Sequence, residues 1–416
     1  MYKVLYLSYD GMTDPLGQSQ VIPYLEGLSK LGYEFTLISF EKPERFEKFS
    51  KEISERLKRS NIHWEPLSYT KKPPVLSTIY DLARMQKKSF AFNAKTNFSI
   101  VHCRSYISAF AGLGMKRKFG TKFLFDMRGF YPDERVDGKI WNRKTPVYNS
   151  IYKFFKQKEK EFLTEADYTV SLTNAGKKIL HARNEIPNQP IPIQVIPCCA
   201  DLEMFSQKSV DEKLKRELRT KFQLTGNEFV LSYLGSIGTW YMLSEMLDFF
   251  KCLLEKHPDA KFLFITNELP QNILHKAIEK NIPESAFLIT PAKHYEVPTF
   301  LSLSNWNLFF ILPVFSKQAS SPTKQGEIMG MGIPHVCNAH VGDVDEITER
   351  LESGILVHEF SVSAYQKAID KMISDKRVFN KEKIIAAAGE IYSLTKGVQK
   401  YAQVYEALIK GNELRE

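Results

Sequence analysis

The chain has 416 residues, more than one ordinary hydrophobic core organises, so we expect two domains. Its hydrophobic content of 43% and charged content of 25% are typical of a globular protein, and no apolar run approaches the ~20 residues that a membrane-spanning helix needs. The net charge of +9 is uneven, because residues 1–205 hold 32 Lys and Arg against 22 Asp and Glu, whereas the remainder holds 25 against 26. This asymmetry indicates that the first half faces an anionic partner, such as a membrane surface, an acidic or phosphorylated substrate, or nucleic acid.

The N-terminus begins with a predicted β-strand, KVLYLSY (3–9), and lacks the basic region, long apolar stretch and cleavage site of a signal peptide. The following segment has apolar residues on one helical face, at Val21, Ile22, Leu25, Leu28 and Leu31. Gly32 is suited to end that helix, and EFTLISF (34–40) reads as the next strand. This order predicts a βαβ unit with parallel strands. Because no signal peptide is recognisable, we expect the protein to be cytoplasmic.

The connection YDGMTDPLGQSQV (9–21) is a candidate binding loop. It has about ten polar and small residues, where such connections usually have ~2–6. Its candidate residues are Gly11, Asp14, Gly17 and Gln18. The glycines allow close backbone approach, but their spacing does not fit a dinucleotide-binding motif. The alternative is a plain connection between a strand and a helix.

Short apolar runs then continue in two series. The first series is FSIVHCR (98–104), KFLFDMR (122–128), DYTVSLT (167–173) and IQVIP (193–197). The second is EFVLSYLGS (228–236), AKFLFIT (260–266), AFLIT (286–290), NLFFILP (307–313), PHVCN (334–338) and GILV (354–357). Two successive α/β sheets explain this pattern better than one very large sheet.

We therefore predict an N-terminal domain at residues 1–205 and a C-terminal domain at 206–385. A final helical pattern runs from about Lys381 to Lys410, with an apolar stripe at Val398, Tyr401, Tyr405 and Leu408. We expect residues 386–416 to pack back on the N-terminal domain.

Two further residues of the first series are candidates for catalysis. Asp126 and Arg128 follow a predicted strand, so they would point towards the crevice where ligands bind in such sheets. Asp126 could orient an acceptor hydroxyl group or accept its proton. The alternative is an Asp–Arg pair that only fixes the loop. His102 is similarly placed, but a lone histidine at a strand end is often structural.

The segment from 139 to 162 is basic and aromatic. Between Lys139 and Lys160 it contains seven Lys or Arg and one Glu. A helical stripe runs through Tyr148, Ile151, Tyr152, Phe155 and Phe162. Such a helix could lie on an anionic membrane surface, or it could pack on its own sheet with a solvated basic face.

No metal, cofactor or nucleic acid is expected. The five cysteines form no zinc-binding spacing and are expected to be reduced thiols. The DVD triplet (343–345) is a weak metal motif, and the chain lacks an RNA-binding aromatic motif.

A run of helix-start residues follows the strand NLFFILP. We expect Ser321 to cap a helix whose first position is Pro322, with Thr323 and Lys324 in its first turn. Such a helix start favours negative charge, and Lys324 adds a full positive charge. Glu327 could accept a hydrogen bond from a sugar hydroxyl. The pattern predicts a nucleotide-diphosphate site, and an ordinary capped helix is the alternative.

Several segments, in this order, resemble glycosyltransferase family 4. They are ADYTVSLTNAG (166–176), VIPCCADLEMF (195–205), VLSYLGSIGTWYMLSEML (230–247), EIMGMGIPHVCN (327–338) and VGDVDEI (341–347). The resemblance implies the GT-B architecture, an α/β fold with two Rossmann-like doubly wound domains facing a central cleft. It also implies that the N-terminal loop lines the acceptor side and that Glu327 binds the donor ribose.

This chain departs from the family pattern at two places. The family's first signature Glu, which holds the donor sugar, corresponds to Ala319, so sugar recognition would use backbone groups, Ser320, Ser321 or another loop. The Arg and Lys that usually follow the glycine at position 235 are absent, and Ser236 comes next. Diphosphate neutralisation would then fall on Lys324, on the helix start with Thr323 and on the backbone of Gly235 and Ser236. Arg104 or Arg128 could contribute.

The resemblance implies a retaining glycosyltransferase that moves a sugar from a nucleotide-diphosphate sugar to a glycan or lipid-linked acceptor, without a metal. Surface polysaccharide or glycoconjugate synthesis is the expected setting, in the cytoplasm or peripherally on the inner face of the membrane. A non-catalytic scaffold of a glycan-assembly complex and a sugar-nucleotide epimerase of the same architecture remain alternatives.

Overall fold

A computed structural model of the protein describes residues 2–226, 228–374 and 379–411. The chain divides into two compact units. Unit 1 runs up to Pro197 and resumes at Leu394, and unit 2 runs from Cys198 to Ser393. The predicted domain limits at 205 and 385 stay predictions, because they depend on how the linking segments are assigned.

Unit 1 alternates strands and helices from its first residue. Its elements in chain order are β1 (Tyr2–Ser8), α1 (Pro15–Gln20), α2 (Ile22–Lys30), β2 (Tyr33–Glu41), α3 (Pro43–Arg59), β3 (Ile62–Ser68), α4 (Leu76–Thr96), β4 (Ile100–Arg104), α5 (Ser105–Phe119), β5 (Lys122–Asp126), α6 (Tyr131–Asp137), α7 (Pro146–Glu165), β6 (Tyr168–Ser171), α8 (Asn174–His181) and β7 (Ile193–Val195).

The strands of unit 1 pair in parallel in the order β3-β2-β1-β4-β5-β6-β7. Val4 lies opposite Phe35 on one side and Ile100 on the other, and all three are buried. The predicted parallel βαβ unit is therefore confirmed. Its helical segment is divided at Val21 into α1 and α2, and Gly32 follows α2 with a φ of +92°, as expected of a helix-terminating glycine.

Unit 2 repeats the same alternation. Its elements are α9 (Glu212–Lys221), β8 (Val230–Leu234), α10 (Leu243–Lys256), β9 (Lys261–Ile265), α11 (Pro270–Glu279), β10 (Phe287–Thr290), α12 (Val297–Leu301), β11 (Trp306–Phe309), α13 (Thr323–Gly330), β12 (His335–Asn338), α14 (Val344–Arg350), β13 (Gly354–Val357), α15 (Val362–Ser374) and α16 (Lys381–Ile391). The parallel strand order is β10-β9-β8-β11-β12-β13.

The core of unit 2 is built from the continuous apolar runs that the sequence indicates. Phe262 and Phe264 of β9 pack with Phe250 of α10 and Phe287 of β10. A parallel sheet covered on both faces needs such runs, because both sides of each strand are buried. Both sheets are therefore doubly wound α/β sheets, as predicted.

The C-terminal helical pattern forms two helices rather than one. After α16, Tyr392 and Ser393 interrupt the helix, and α17 (Leu394–Lys410) follows. At this break, the carbonyl oxygen of Tyr392 accepts a hydrogen bond from the backbone N–H of Ala200. The predicted stripe Val398, Tyr401, Tyr405 and Leu408 is buried, and α17 belongs to unit 1.

The described residues contain no candidate for a membrane-spanning helix, a metal-binding cluster or a disulfide. None of their helices is both long and apolar enough to cross a membrane. Within the same residues, His, Cys, Asp and Glu form no group of three that could hold a metal ion. The five cysteines all lie in these ranges and are buried and free of disulfides, in line with the predicted thiols.

Candidate functional site

Each sheet has one position where the strand order reverses. In unit 2 this position lies between β8 and β11, and in unit 1 it lies between β1 and β4. Ligands of doubly wound sheets bind beyond the carboxyl ends of the strands at such reversals. The segments that leave β8, β11, β1 and β4 there contain most of the residues predicted from the sequence.

Lys324 lies in the first turn of α13 and is enclosed by aromatic rings. Its side chain is 7% exposed, and Nζ donates a hydrogen bond to the hydroxyl of Tyr233 at 3.1 Å. Nζ also lies 3.6 Å from the ring centre of Tyr241 and 4.2 Å from that of Tyr233. The faces of aromatic rings attract cations, so these residues hold the ammonium group in a defined position.

The electrostatics of α13 couple Lys324 to Glu327. Burial lowers the pKa of Lys324 well below that of an ordinary lysine, and the Glu327 carboxylate opposes the shift. Burial likewise raises the pKa of Glu327 to about 7, against the effect of Lys324. One Glu327 oxygen lies 4.0 Å from Nε2 of His294. Such displaced pKa values are typical of functional sites, although structural pairs also produce them.

Gly235 and Ser236 follow β8, next to Lys324. Gly235 has a φ of +108°, and a Cβ atom there would lie 3.2 Å from Nζ of Lys324. The hydroxyl of Tyr233 donates to the carbonyl oxygen of Ser236, whose side chain is exposed. A glycine is therefore needed at 235 both for the backbone conformation and for the close approach of the lysine.

The predicted cap of α13 is wrong. Pro322 occupies the N-cap position, so the helix begins at Thr323 and no side chain caps it. The Ser321 hydroxyl instead accepts a hydrogen bond from the backbone N–H of Cys198 at 3.2 Å. Ser320, Ser321 and Thr323 are all partly exposed, whereas Ala319 is buried.

A second lysine of this region was missed by the sequence reasoning. Lys317 is buried, and its Nζ lies 3.6 Å from the ring centre of Trp240. Trp240 and Tyr241 are neighbours in the segment that follows Gly235, and each ring contacts one lysine of the segment after β11. The aromatic letters of GSIGTWY could have suggested this arrangement, since the segment lacks the basic residues expected there.

In unit 1, the loop after β1 is fixed by a buried carboxylate that the sequence reasoning also missed. Glu41, at the end of β2, accepts hydrogen bonds from the backbone N–H groups of Met12 at 2.7 Å and Thr13 at 3.0 Å. A charged residue directly after the apolar strand EFTLISF was the available sequence signal. The loop is therefore ordered by its contact with the neighbouring strand.

The predicted residues of this loop lie together. Asp14 forms ion pairs with Lys42 at 2.9 Å and Arg45 at 3.2 Å, and Gln18 donates to the carbonyl oxygen of Thr13 at 3.1 Å. A Cβ atom on Gly17 would lie 2.2 Å from the carbonyl oxygen of Gly11, so the two glycines are in close contact.

Asp126 and Arg128 also lie together, but Asp126 is enclosed. Its carboxylate is buried, with Oδ1 3.9 Å from Nη1 of Arg128 and Oδ2 accepting a hydrogen bond from the hydroxyl of Tyr401 at 3.0 Å. Burial would raise the pKa of Asp126, but Arg128 and His102 outweigh it and hold the pKa below its ordinary value. Arg128 has a φ of +60°, a strained conformation that is often found at functional positions.

His102 belongs to this buried cluster. Its Nε2 lies 3.4 Å from Oδ2 of Asp126, and its Nδ1 is hydrogen-bonded with the hydroxyl of Tyr405 at 2.8 Å. Burial lowers the pKa of His102, against the opposing effect of Asp126. Arg104, at the end of β4, is paired through Nε with Asp10 at 3.2 Å. Tyr401 and Tyr405 lie in α17, far from Asp126 and His102 in the sequence, so the sequence does not indicate that they form this cluster.

The solved structures similar to this chain share its fold at low identity. Sucrose-phosphate synthase from Thermosynechococcus elongatus is 15% identical with a TM-score of 0.73, over 99% of this chain and 100% of that one. A glycosyltransferase from Rickettsia africae ESF-5 is 16% identical with a TM-score of 0.71, over 99% of each chain. Anabaena HepE, in complex with UDP and glucose, is 12% identical with a TM-score of 0.69, over 98% of this chain and 100% of that one.

Family models match both halves of the sequence. The model described as Glycosyltransferase Family 4 matches residues 20–204, and the model described as Glycosyl transferases group 1 matches residues 215–390. A comparison with curated proteins found no match. Because the two models together span most of the chain, the chain belongs to glycosyltransferase family 4. Its two doubly wound domains and its similarity to the solved structures show that it has the GT-B fold.

Proposed function

We propose that this glycosyltransferase moves a sugar, of the hexose class, from a nucleotide-diphosphate sugar to a glycan or lipid-linked acceptor. The observation that carries the proposal is the aromatic-held ammonium of Lys324, in the first turn of α13 at the strand-order reversal of unit 2. A diphosphate fits there because the helix start and the ammonium group both favour negative charge.

We assign the donor to unit 2. Lys324 would neutralise the diphosphate, with the backbone N–H groups of Ser236 and Thr323 as further donors. The predicted use of the Gly235 backbone as a donor is wrong, because its N–H donates to the carbonyl oxygen of Ile265 at 3.0 Å. A phosphate beside Nζ would favour the ammonium form that burial disfavours. Glu327 would accept hydrogen bonds from the ribose, and Ser320 and Ser321 would contact the sugar. The complex of Anabaena HepE with UDP and glucose supports this donor class.

We assign the acceptor to unit 1, with the loop of Gly11, Asp14, Gly17 and Gln18 as its contact. Because the Asp126 carboxylate is enclosed, we propose that it orients Arg128 rather than accepting the acceptor's proton. Arg128 would then be the residue of this pair that reaches the reacting groups. Charge on the leaving diphosphate would be stabilised by pre-oriented donors without a metal, and we propose retention of anomeric configuration.

The proposed setting is surface polysaccharide synthesis at the inner face of a membrane, with an anionic surface meeting residues 139–162. The structure restricts which of these residues could take part. Phe155 packs against Phe110 and Tyr131, and Lys156 is paired with Asp133 at 3.0 Å. Any contact would therefore use the exposed residues of the segment, such as Lys144 and Lys153.

Isothermal titration with UDP, GDP and ADP tests the donor site. For the nucleotide that binds, we expect Lys324→Ala and Glu327→Ala each to weaken binding about tenfold or more, a loss of about 1.4 kcal/mol. Lys221→Ala is the matched control, because the Lys221 ammonium also lies over an aromatic ring, that of Phe222, but in α9. Unchanged affinity in both site variants would show that the diphosphate binds elsewhere.

Turnover separates the transferase from the alternatives. Incubation of the intact protein with a labelled nucleotide sugar should yield free nucleotide diphosphate, by transfer or by slow hydrolysis. Binding without any turnover would favour a scaffold, and an isomerised sugar nucleotide formed without acceptor would favour an epimerase.

A further inference from the structure

The first two turns of α4 have an inverted distribution of apolar and polar side chains. Leu76, Ile79 and Tyr80 are 64%, 57% and 58% exposed, and their spacing places them on one face of the helix. The buried face at the same level carries Ser77 and Asp81. A surface helix of a globular protein normally buries its apolar face and exposes its polar one, so this arrangement needs an explanation.

The polar inward face is explained by contacts within unit 1. The buried Asp81 carboxylate accepts hydrogen bonds from the backbone N–H of Thr70 at 3.0 Å, from the Thr70 hydroxyl at 2.8 Å and from the Tyr9 hydroxyl at 3.1 Å. It also pairs with Arg84 at 3.2 Å. Tyr9 directly follows β1, so Asp81 attaches the start of α4 to the loop that we assign to the acceptor. These contacts do not account for the apolar outward face.

The charge next to this face indicates what covers it. Lys71 and Lys72 are exposed and directly precede the apolar residues, and no acidic residue occurs between them and Asp81. Exposed apolar side chains beside lysines are typical of surfaces that bind anionic lipid interfaces. A second copy of the chain is a poorer partner, because a symmetric contact through this face would bring the four lysines of the two copies together.

The location of the patch is compatible with a flat partner. Because parallel strands point the same way, the helices that follow them begin at one edge of the sheet. Further exposed apolar residues belong to segments that begin at this edge, namely Leu16 of α1 and, before and within α7, Ile140 and Val147. Other exposed apolar residues of unit 1 lie away from this edge, at Tyr2, Leu31, Phe119 and Phe154, but none of these is accompanied by a run of exposed apolar neighbours like residues 75–80.

We propose that residues 71–80 dock the protein on a bilayer with anionic headgroups. Leu76, Ile79 and Tyr80 enter the interface, and Lys71 and Lys72 contact the headgroups. This surface goes beyond sugar transfer and is distinct from the basic segment of α7. One consequence rests on the proposed function: docking brings the loop attached through Asp81 to the level of a lipid-linked acceptor. Vesicle binding tests the docking without that assumption.

Vesicle co-sedimentation of the intact chain, with and without phosphatidylglycerol in phosphatidylcholine, tests the proposal. The variant Leu76→Ser/Ile79→Ser/Tyr80→Ser should lose vesicle affinity on the order of tenfold or more. The matched control Leu269→Ser/Ile278→Ser/Tyr295→Ser removes the same three residue types from unit 2, where they are 66%, 53% and 62% exposed. The control should bind vesicles as the unchanged protein does.

Two further measurements test the docking if the triple variant binds vesicles poorly because it is misfolded. Tyr80→Trp should show fluorescence quenching by brominated lipids, whereas Ile278→Trp should not. Lys71→Gln/Lys72→Gln should weaken binding only to vesicles with phosphatidylglycerol. The proposal is overturned if the triple variant binds as the unchanged protein does, if the indole introduced by Tyr80→Trp is not quenched, or if the triple variant converts a dimer to a monomer in light scattering.

Discussion

At the level of single residues, the proposed donor site depends on a lysine whose position is set by its aromatic neighbours. The ammonium of Lys324 is held by the hydroxyl of Tyr233 and the ring of Tyr241, so its location is fixed before any ligand arrives. Pre-positioning of this kind reduces the ordering cost of binding. Gly235 completes the arrangement, because its missing side chain leaves room beside Nζ.

A substitution at Gly235 should therefore disturb both the backbone and the lysine. Gly235→Ala places a Cβ atom 3.2 Å from Nζ of Lys324 at a φ of +108°. We expect a loss of stability of about 1–3 kcal/mol and weaker nucleotide binding. Thermal unfolding and isothermal titration measure the two effects.

Gly238→Ala is the matched control, since it lies in the same segment and no atom beyond its two chain neighbours lies within 4 Å of its Cβ position. It should leave nucleotide affinity nearly unchanged. If both alanine variants bind nucleotide like the unchanged protein, the contact between Gly235 and Lys324 does not matter for the donor.

Residues whose role is local could be predicted from the sequence, and residues whose role is tertiary could not. Lys324 and Glu327 lie in one helical turn after a buried strand, so the chain order alone places them at a helix start. Tyr233 and Glu41 act on segments that are distant in sequence. Nothing in their immediate neighbours indicates which segment folds against them, so only the packed structure reveals the contact.

At the level of elements, strand prediction worked where strands are buried on both faces and failed at an edge. Strand β3 was not predicted, because Pro66 and the half-exposed residues around it break the apolar run. An edge strand tolerates a proline, since one side of its backbone needs no partner strand. The C-terminal stripe was predicted correctly, yet the break at Tyr392 was not, because no proline or glycine marks it.

Helix α17, near the end of the sequence, packs closely against α2, near its beginning. Gly27 of α2 faces Val398 of α17, and a Cβ atom on Gly27 would lie 2.6 Å from Cγ2 of that valine. The same helix carries Tyr401 and Tyr405 into the cluster of Asp126 and His102. Helix α17 therefore contacts both α2 and the buried cluster of Asp126.

We predict that Gly27→Ala destabilises the protein by about 1–3 kcal/mol through overpacking. Val398→Ala should also destabilise, by removing buried methyl groups. The double variant should be more stable than the sum of the single effects implies, because Val398→Ala makes room for the Cβ atom added at position 27 and that atom fills part of the space left by the valine, with a coupling of about 1 kcal/mol. Denaturant unfolding measures all three.

Gly389→Ala serves as the control for a glycine within a helix, since its Cβ position has no neighbour within 4 Å. It should be neutral or stabilising by up to about 1 kcal/mol. Additive effects of Gly27→Ala and Val398→Ala would contradict close packing of α2 on α17.

At the level of the whole molecule, the two units have separate sheets and separate buried apolar residues. A ligand stabilises the structure that binds it by an amount set by its concentration relative to Kd, about 2.7 kcal/mol at a hundredfold excess. If the donor site is made by unit 2 alone, a nucleoside diphosphate should stabilise the strands of that unit in preference to those of unit 1.

Hydrogen exchange of the intact chain with saturating nucleotide tests this prediction. Amides of β8, β9 and β11 should exchange more slowly when nucleotide is present, whereas those of β4 and β5 should change little, because each set reports the opening of its own sheet. In Lys324→Ala at the same nucleotide concentration, the slowing in unit 2 should shrink, since fewer molecules are bound. Equal slowing in both sheets would mean that the two units open as one cooperative structure. Slowing confined to β4 and β5 would move the nucleotide to unit 1 and contradict the donor assignment.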